Sequence, residues 1–327
     1  MRIWLNKGHE VIVTSRDKDI TIHLLDCYHI PHTPSGSHGT TPFGLARELL
    51  ARCTELIRIV RRRKPDIMTA IAGTFIAPVG RLTGTQVVTF YDTEHAVISN
   101  MISYPLSHHL VLPSCYKKKV TRRHITYNGY HELAYLHPDY FSPDPSVLDQ
   151  LGVQKGEKFV VMRFVSWEAG HDLGHSGISP DMKRKAVRML TTYAKVFISS
   201  EKELPEDLKA YKIPIPPEKI HDALYYASLL FGESATMASE CAVLGTPAIY
   251  LDNTGRGYTD EQEEVYGAVF NFSESPEDQE KSIQKAIEIV QTEDIKARWK
   301  EKRDRILNDK IDVTKFVTDL IEKTVGV

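Results

Sequence analysis

The sequence predicts an α/β protein built from two doubly wound units, and three observations carry that reading. Short apolar runs alternate with helical patterns along nearly all of the 327 residues. The alternation breaks off once and then restarts, giving two separate β-α-β series. The interruption itself is dense in proline and glycine, as expected of a connection between domains.

The first series opens on MRIW, read as a strand. KGHEVIVTS follows as a helix end running into the strand EVIVTS (10–15). In FGLARELLARCTELIRIVRRRK (43–64), Leu45, Leu49, Leu56 and Ile59 recur near a period of 3.6, which predicts an amphipathic helix. Pro65 ends it. DIMTAI (66–71), QVVTFY (86–91) and HHLVLP (108–113) read as buried parallel strands. YLHPDYFSPDPSVLDQLGVQKGE, with Pro138, Pro143, Pro145, Gly152 and Gly156, is the predicted linker and hinge. The second series runs through KFVVMRFV (158–165), KVFISS (195–200), SLLFG (228–232), TPAIYL (246–251) and GAVFNF (267–272). Helical patterns at 181–193, 218–227, 235–244 and 277–290 fill the gaps, and 293–325 reads as two charged helices. The predicted organisation is a first domain at 1–137, a linker at 138–157, a second domain at 158–308 and a helix at 309–327 that crosses back to the first domain. A parallel crossover with its helix needs at least ~10–12 residues. Almost nothing separates Trp4 from Lys7. The expectation is therefore either an omitted segment between Trp4 and Leu5, or a first domain lacking that element and crippled in catalysis.

Hydrophobic residues make up 42% and charged residues 26%, the balance of a soluble globular chain. A formal net charge of -2 excludes a global field drawing the protein to nucleic acid or to an anionic membrane. Local basic runs remain. RRRK (61–64) suits the C-terminal end of a helix, whereas KKKVTRRH (117–124) reads as a solvated face or as an anion or membrane-surface contact. Cys27, Cys53, Cys115 and Cys241 are scattered, which fits a reduced, cytoplasmic protein. No run of 18 apolar residues predicts a spanning helix, so membrane contact, if any, is peripheral.

The stretch richest in chemistry is GESATMASECAVLGTPAIYL (232–251). It reads as a strand end, a small-residue turn, a helix closed by Gly245 and a further strand. A helix N-terminus after such a turn offers unbonded N–H groups and the positive end of the dipole to an anion. The turn lies at the carboxyl end of a parallel strand, where open α/β sheets bind ligands. Thr236 is read as the N-cap. Glu240, about one turn further in, can accept two hydroxyls, as from a ribose diol; its alternative is a pairing with a surface lysine. In MRFVSWEAGHDLGHSG (162–177), Arg163 at a strand end and the glycine-bearing loop suit a diphosphate or a carboxylate, which a guanidinium grips as a fork. His171 and His175 flank Asp172, but Gly170, Gly174 and Gly177 argue against the helix that would align them, and no metal site is predicted. In FYDTEHAVISN (90–100), Asp92, Glu94 and His95 cluster at a strand's carboxyl end, either as a general base or as caps of the next helix.

The stretch 232–251 resembles the donor-site segment of GT-B glycosyltransferases and of the non-hydrolysing UDP-GlcNAc 2-epimerases, and most of all that of the N-acetylglucosaminyltransferase of peptidoglycan synthesis. With YDTEHAVISN, YNGYHELAYLHPDYFSPDPSVL and RFVSWEAGHD it is similar to the domain-of-unknown-function 354 family, whose members are labelled predicted glycosyltransferases. The resemblance implies a GT-B-like fold of two Rossmann-like domains with a cleft between them. It also implies that Ser234, Ala235 and Thr236 contact a diphosphate and Glu240 the ribose, with Ile220 and His221 of PPEKIHDALYYA beside the base. Asp260 and Gln262 of YTDEQEE would hold sugar hydroxyls. The implied activity is metal-independent transfer from a nucleotide-diphosphate sugar, a UDP-sugar first, to an acceptor that is lipid-linked or a polysaccharide. It needs no cofactor. A 2-epimerase and a non-catalytic nucleotide-sugar binder are the rival expectations.

Overall fold

A computed structural model describes residues 1–17, 20–37, 42–120, 123–154, 156–165, 177–200 and 202–326. The chain divides into two compact units, Met1–Asn128 with Val313–Val327, and Gly129–Asp312. The segment 138–157 lies within the second unit.

The first unit begins with α1 (Arg2–Asn6), β1 (Val13–Asp17), α2 (Thr21–Cys27), β2 (His32–Ser37) and α3 (Pro42–Arg63). It continues through β3 (Ile67–Ile71), α4 (Ile76–Thr83), β4 (Gln86–Phe90), α5 (Val97–Leu106), β5 (His109–Pro113) and β6 (Ile125–Tyr127). MRIW is helical rather than a strand. The Leu5 N–H donates to the Met1 carbonyl at 3.0 Å and the Lys7 N–H to that of Ile3 at 3.1 Å. The expected opening strand is thus absent, and with it the crossover that the spacing from Trp4 to Lys7 was expected to lack. Four residues, three of them apolar, are too few to tell a period of 2 from one of 3.6. β1 and β2 pair in parallel as a two-stranded sheet, and β3-β4-β5-β6 form a four-stranded parallel sheet in that order. Val87, Val88, Leu110 and Val111 are fully buried in β4 and β5. A Cβ on Gly80 of α4 would lie 2.2 Å from Val87, so glycine lets this helix press onto β4.

The second unit holds α6 (Leu133–Leu136), α7 (Val147–Gln150), β7 (Phe159–Phe164), α8 (Pro180–Leu190), β8 (Lys195–Ser200), α9 (Ile220–Tyr226) and β9 (Leu229–Gly232). After these come α10 (Ala235–Leu244), β10 (Ala248–Leu251), α11 (Gly257–Glu264), β11 (Val269–Phe272), α12 (Pro276–Gln291) and α13 (Ile295–Asp309). The last helix, α14 (Val313–Val325), belongs to the first unit. Five parallel strands run in the order β11-β10-β9-β7-β8. Their apolar faces, including Met162, Phe164, Leu229 and Phe231, pack with Ala186 and Leu190 of α8 and with Ile283, Ala286 and Ile289 of α12. Two of these helices start on strong caps: Ser179 accepts the Met182 N–H, and Ser275 that of Asp278. From β7 the chain moves to β8 on one side, while β9 lies on the other. The strand order therefore reverses between β7 and β9, the place where such sheets open a crevice beyond their carboxyl ends.

Candidate functional site

The site grows from that reversal. Arg163 at the end of β7 is in register with Gly232 at the end of β9. A Cβ at Gly232 would sit 2.0 Å from the Arg163 carbonyl oxygen, so the close approach of the strands admits only glycine. The Glu233 N–H donates to that same carbonyl at 3.0 Å. Ser234 then caps α10 by accepting the Met237 N–H, and the Ala238 N–H makes a 3.0 Å helical bond back to the Ser234 carbonyl. The cap is thus Ser234, not Thr236. A serine oxygen accepts from the third residue beyond it, and the chain is extended at 234 and helical from 235. The N–H groups of Ala235 and Thr236 precede that bond and point out of the helix end, where the dipole is positive. Thr236 is exposed beside them.

Further along α10, Glu240 is only 6% exposed. Its Oε1 accepts from the Tyr135 hydroxyl at 2.9 Å and is bonded by His221 Nε2 at 2.9 Å. The two rings lie 5.6 Å apart, and Phe141 meets the His221 ring edge-on at 6.3 Å. Both donors converge on Oε1, which leaves Oε2 to other partners. The alternative of a surface lysine is not what the carboxylate meets. Ile220 and His221 open α9, so the structure brings His221 and Glu240 together as one group, with Ile220 half-buried next to them in the chain.

Sequence reasoning missed Tyr135, Glu233 and Lys183. Glu233 lies in the turn with its side chain buried. Its Oε2 accepts the Val165 N–H at 2.8 Å, and its Oε1 accepts the Ile178 N–H at 2.7 Å and Lys183 Nζ at 3.0 Å. One carboxylate thereby ties the end of β7, the approach to α8 and the turn before α10. Gly177 fits against it because a Cβ there would be 2.6 Å from Oε1. Burial pushes the Lys183 ammonium below its ordinary pKa, and Glu233 acts against that shift. Val165 and Ile178 lie 68 and 55 residues from Glu233 in sequence, beyond any local spacing rule.

The remaining expected residues divide. Arg163 is half-buried and donates from Nη1 to the Ser199 hydroxyl at 3.1 Å on the neighbouring β8. Asp260 is half-buried near the start of α11. Gln262 is 0% exposed, and its Nε2 donates to Ser239 at 2.7 Å, so it holds α11 to α10 instead of facing a sugar. His171, Asp172 and His175, with Gly170 and Gly174, lie outside the described residues. In the first unit, Asp92 accepts the Thr93 hydroxyl at 2.9 Å. Glu94 is buried and accepts the Lys117 N–H at 3.2 Å, while His95 is exposed. Ala96, the residue before α5, makes no side-chain cap bond.

The pattern of a family described as protein of unknown function (DUF354) matches residues 1–256. The uncharacterised protein MJ0665 of Methanocaldococcus jannaschii is 25% identical over 256 residues, covering 74% of each chain. Among solved structures, MurG from Acinetobacter baumannii is similar with a TM-score of 0.59 at 13% identity, over 98% of this chain and 93% of that one. The glycosyltransferase VinC in complex with dTDP gives 0.61 at 12%, over 98% and 94%. A UDP-N-acetylglucosamine 2-epimerase gives 0.58 at 15%, over 90% and 84%. At these identities the likeness establishes the fold, which is GT-B with two Rossmann-like domains.

Proposed function

Since the chain belongs to the family described as protein of unknown function (DUF354), we propose from that premise that it is a glycosyltransferase whose second unit binds a nucleotide-diphosphate sugar, with UDP as the first nucleotide to test. The observation that carries this reading is the buried Glu240 carboxylate on a helix whose capped N-terminus opens at the strand reversal. A buried carboxylate needs donors, and Tyr135 and His221 supply two of them to one oxygen. The ribose diol supplies donors to the other. The diphosphate lies at the N–H groups of Ala235 and Thr236, beside Ser234, where the helix end stabilises the charge that builds on the leaving group. Ile220 and His221 flank the base, Asp260 takes a sugar hydroxyl, and Arg163 serves the diphosphate by turning from Ser199.

In the reaction, a base removes the proton of an acceptor hydroxyl, whose oxygen attacks the anomeric carbon. The bond to the diphosphate breaks, and its electron pair departs with the nucleotide. We assign the base to the group Asp92, Glu94 and His95. The bond from Lys117 to Glu94 and the exposure of His95 favour Asp92 and His95 within it. Likeness to an epimerase supports a second reading, inversion at the sugar's second carbon with no acceptor. Calorimetry with UDP, dTDP, uridine and UDP-GlcNAc tests the donor site. UDP should bind more tightly than uridine, and equal affinities would remove the diphosphate site. Incubation with UDP-GlcNAc alone separates the readings, because an epimer forms without acceptor and a transferase product does not. Tight UDP binding with neither product under any acceptor would leave a binding protein.

A further inference from the structure

We propose that α5 and the basic run after β5 form a surface that docks onto an anionic lipid bilayer. This does not depend on the activity proposed above. The helix has its polarity reversed. Ser99 bonds the Thr74 hydroxyl, Asn100 donates to the Glu94 carbonyl at 3.1 Å and Ser103 donates to the Ala72 carbonyl, so its polar side is held inward. Just past its end, Ser107 bonds Thr89 at 2.7 Å within the same buried layer. Val97, Ile98 and Met101 are left 55%, 74% and 72% exposed, with Pro105 also exposed. At about 100° per residue these four fall on one side of the helix, opposite Ser99, Asn100 and Ser103. A single exposed leucine such as Leu82 is ordinary. A helix that buries asparagine and serine while turning out valine, isoleucine and methionine is a patch with an orientation fixed by hydrogen bonds.

Cations stand next to it. Lys117, Lys118, Lys119, Arg123 and His124 are exposed. The run is fastened to the helix, because Tyr116 and Tyr104 share a hydroxyl bond and the Lys117 N–H donates to Glu94 just ahead of α5. An apolar helix face with a basic run fastened beside it matches the boundary between acyl chains and anionic headgroups, where hydrocarbon inserts and ammonium groups pair with phosphate. A second copy of the chain would set lysine against lysine, which argues against self-association through this face. No helix among the described residues is long and apolar enough to cross a membrane, so the contact is peripheral.

Flotation with phosphatidylcholine vesicles, with and without phosphatidylglycerol, tests the surface. The full chain should float with the anionic vesicles only, and added salt should release it. Ile98→Ser with Met101→Ser should reduce the floated fraction about tenfold, and Lys118→Ser with Lys119→Ser should reduce it while leaving thermal unfolding unchanged. Flotation of the wild type at background, or undiminished flotation of either pair, overturns the proposal. A dimer dispersed by Ile98→Ser, with no flotation of the wild type, overturns it in favour of a self-contact.

Discussion

Two strand-to-helix passages in this protein occupy the same kind of position and solve it in opposite ways. Both β9–α10 and β4–α5 leave the carboxyl end of a parallel strand inside a sheet. The first turns tightly through Glu233 and Ser234, caps its helix by a side chain and buries most of that helix, Glu240 included. The second takes a longer path past Asp92, Glu94 and His95, starts its helix uncapped, and leaves an apolar side in the open. In one passage the misplaced group is a carboxylate inside, and in the other it is a set of hydrocarbons outside. Burial free energy opposes both arrangements. The difference teaches that the informative residues are those whose polarity disagrees with their surroundings, and that the sign of the disagreement separates the proposed ligand site from the proposed docking face.

The largest effect should come from closing the first passage. Gly232→Ala drives a methyl group into the Arg163 carbonyl, an overpacking cost of about 3 kcal/mol. Urea unfolding should show the lower midpoint, and nucleotide binding should go with it. Gly156→Ala, strained at φ +86° but with no atom within 4 Å of its Cβ, measures the backbone cost without the clash. An unshifted midpoint for Gly232→Ala would break the account of the turn.

Next in size, Glu240→Ala should weaken UDP binding by about 1–3 kcal/mol, and Tyr135→Phe by about 0.5–1.5 kcal/mol. If Tyr135 acts by fixing the carboxylate, the two losses will not add in the double variant. Additive losses in calorimetry would separate Tyr135 from Glu240 and weaken the reading of the buried group.

A last effect, on stability and not on binding, concerns the far end of the same passage. Lys296 of α13 is half-buried, donating to the Tyr225 carbonyl of α9 at 2.5 Å and to Thr246, in the loop after α10, at 2.8 Å. Burial lowers its pKa from 10.5 to about 7, against a smaller opposing pull from Cys241. Between those values the unfolded chain holds the proton that the folded chain has released. Stability should therefore rise from pH 7 to pH 9, by at most about 1.4 kcal/mol per unit. Urea midpoints should follow that rise, and Lys296→Met should flatten it. Parallel slopes for the two proteins would show that Lys296 is not its source.

The legible parts of the fold were those with long or strongly apolar patterns. KFVVMRFV, SLLFG and TPAIYL are strands because nearly every side chain in them needs burial on both faces of a sheet. β2, with the sequence HTPSGS, carries no apolar pattern, and its pairing with β1 comes from the backbone. β6 is only three residues long. MRIW misled because composition without period does not choose between helix and strand. Within the site, Glu240 could be placed on its helix from local spacing, although that spacing sets the cap two residues late, at Thr236 instead of Ser234. Tyr135 could not, being 105 residues from the carboxylate it meets. Gln262 was misread because spacing puts a residue on a helix without saying which neighbour its side will face; that neighbour is Ser239.

The pairing of β7 with β9 also bears on when this protein becomes competent. Val165 and Glu233 meet across 68 residues of chain. α8, β8 and α9 lie between the two strands in sequence and must be looped out before the strands join. Contacts this distant close late, since chain entropy is given up before the sheet returns it. During synthesis, β7 emerges with the edge that β9 will cover still open, and it stays so until α10 has followed. The turn at Glu233 and Ser234 is therefore a clock as well as the proposed site: a ligand that needs the assembled turn recognises only chains that have finished the slow step, and by mass action draws the remainder after them.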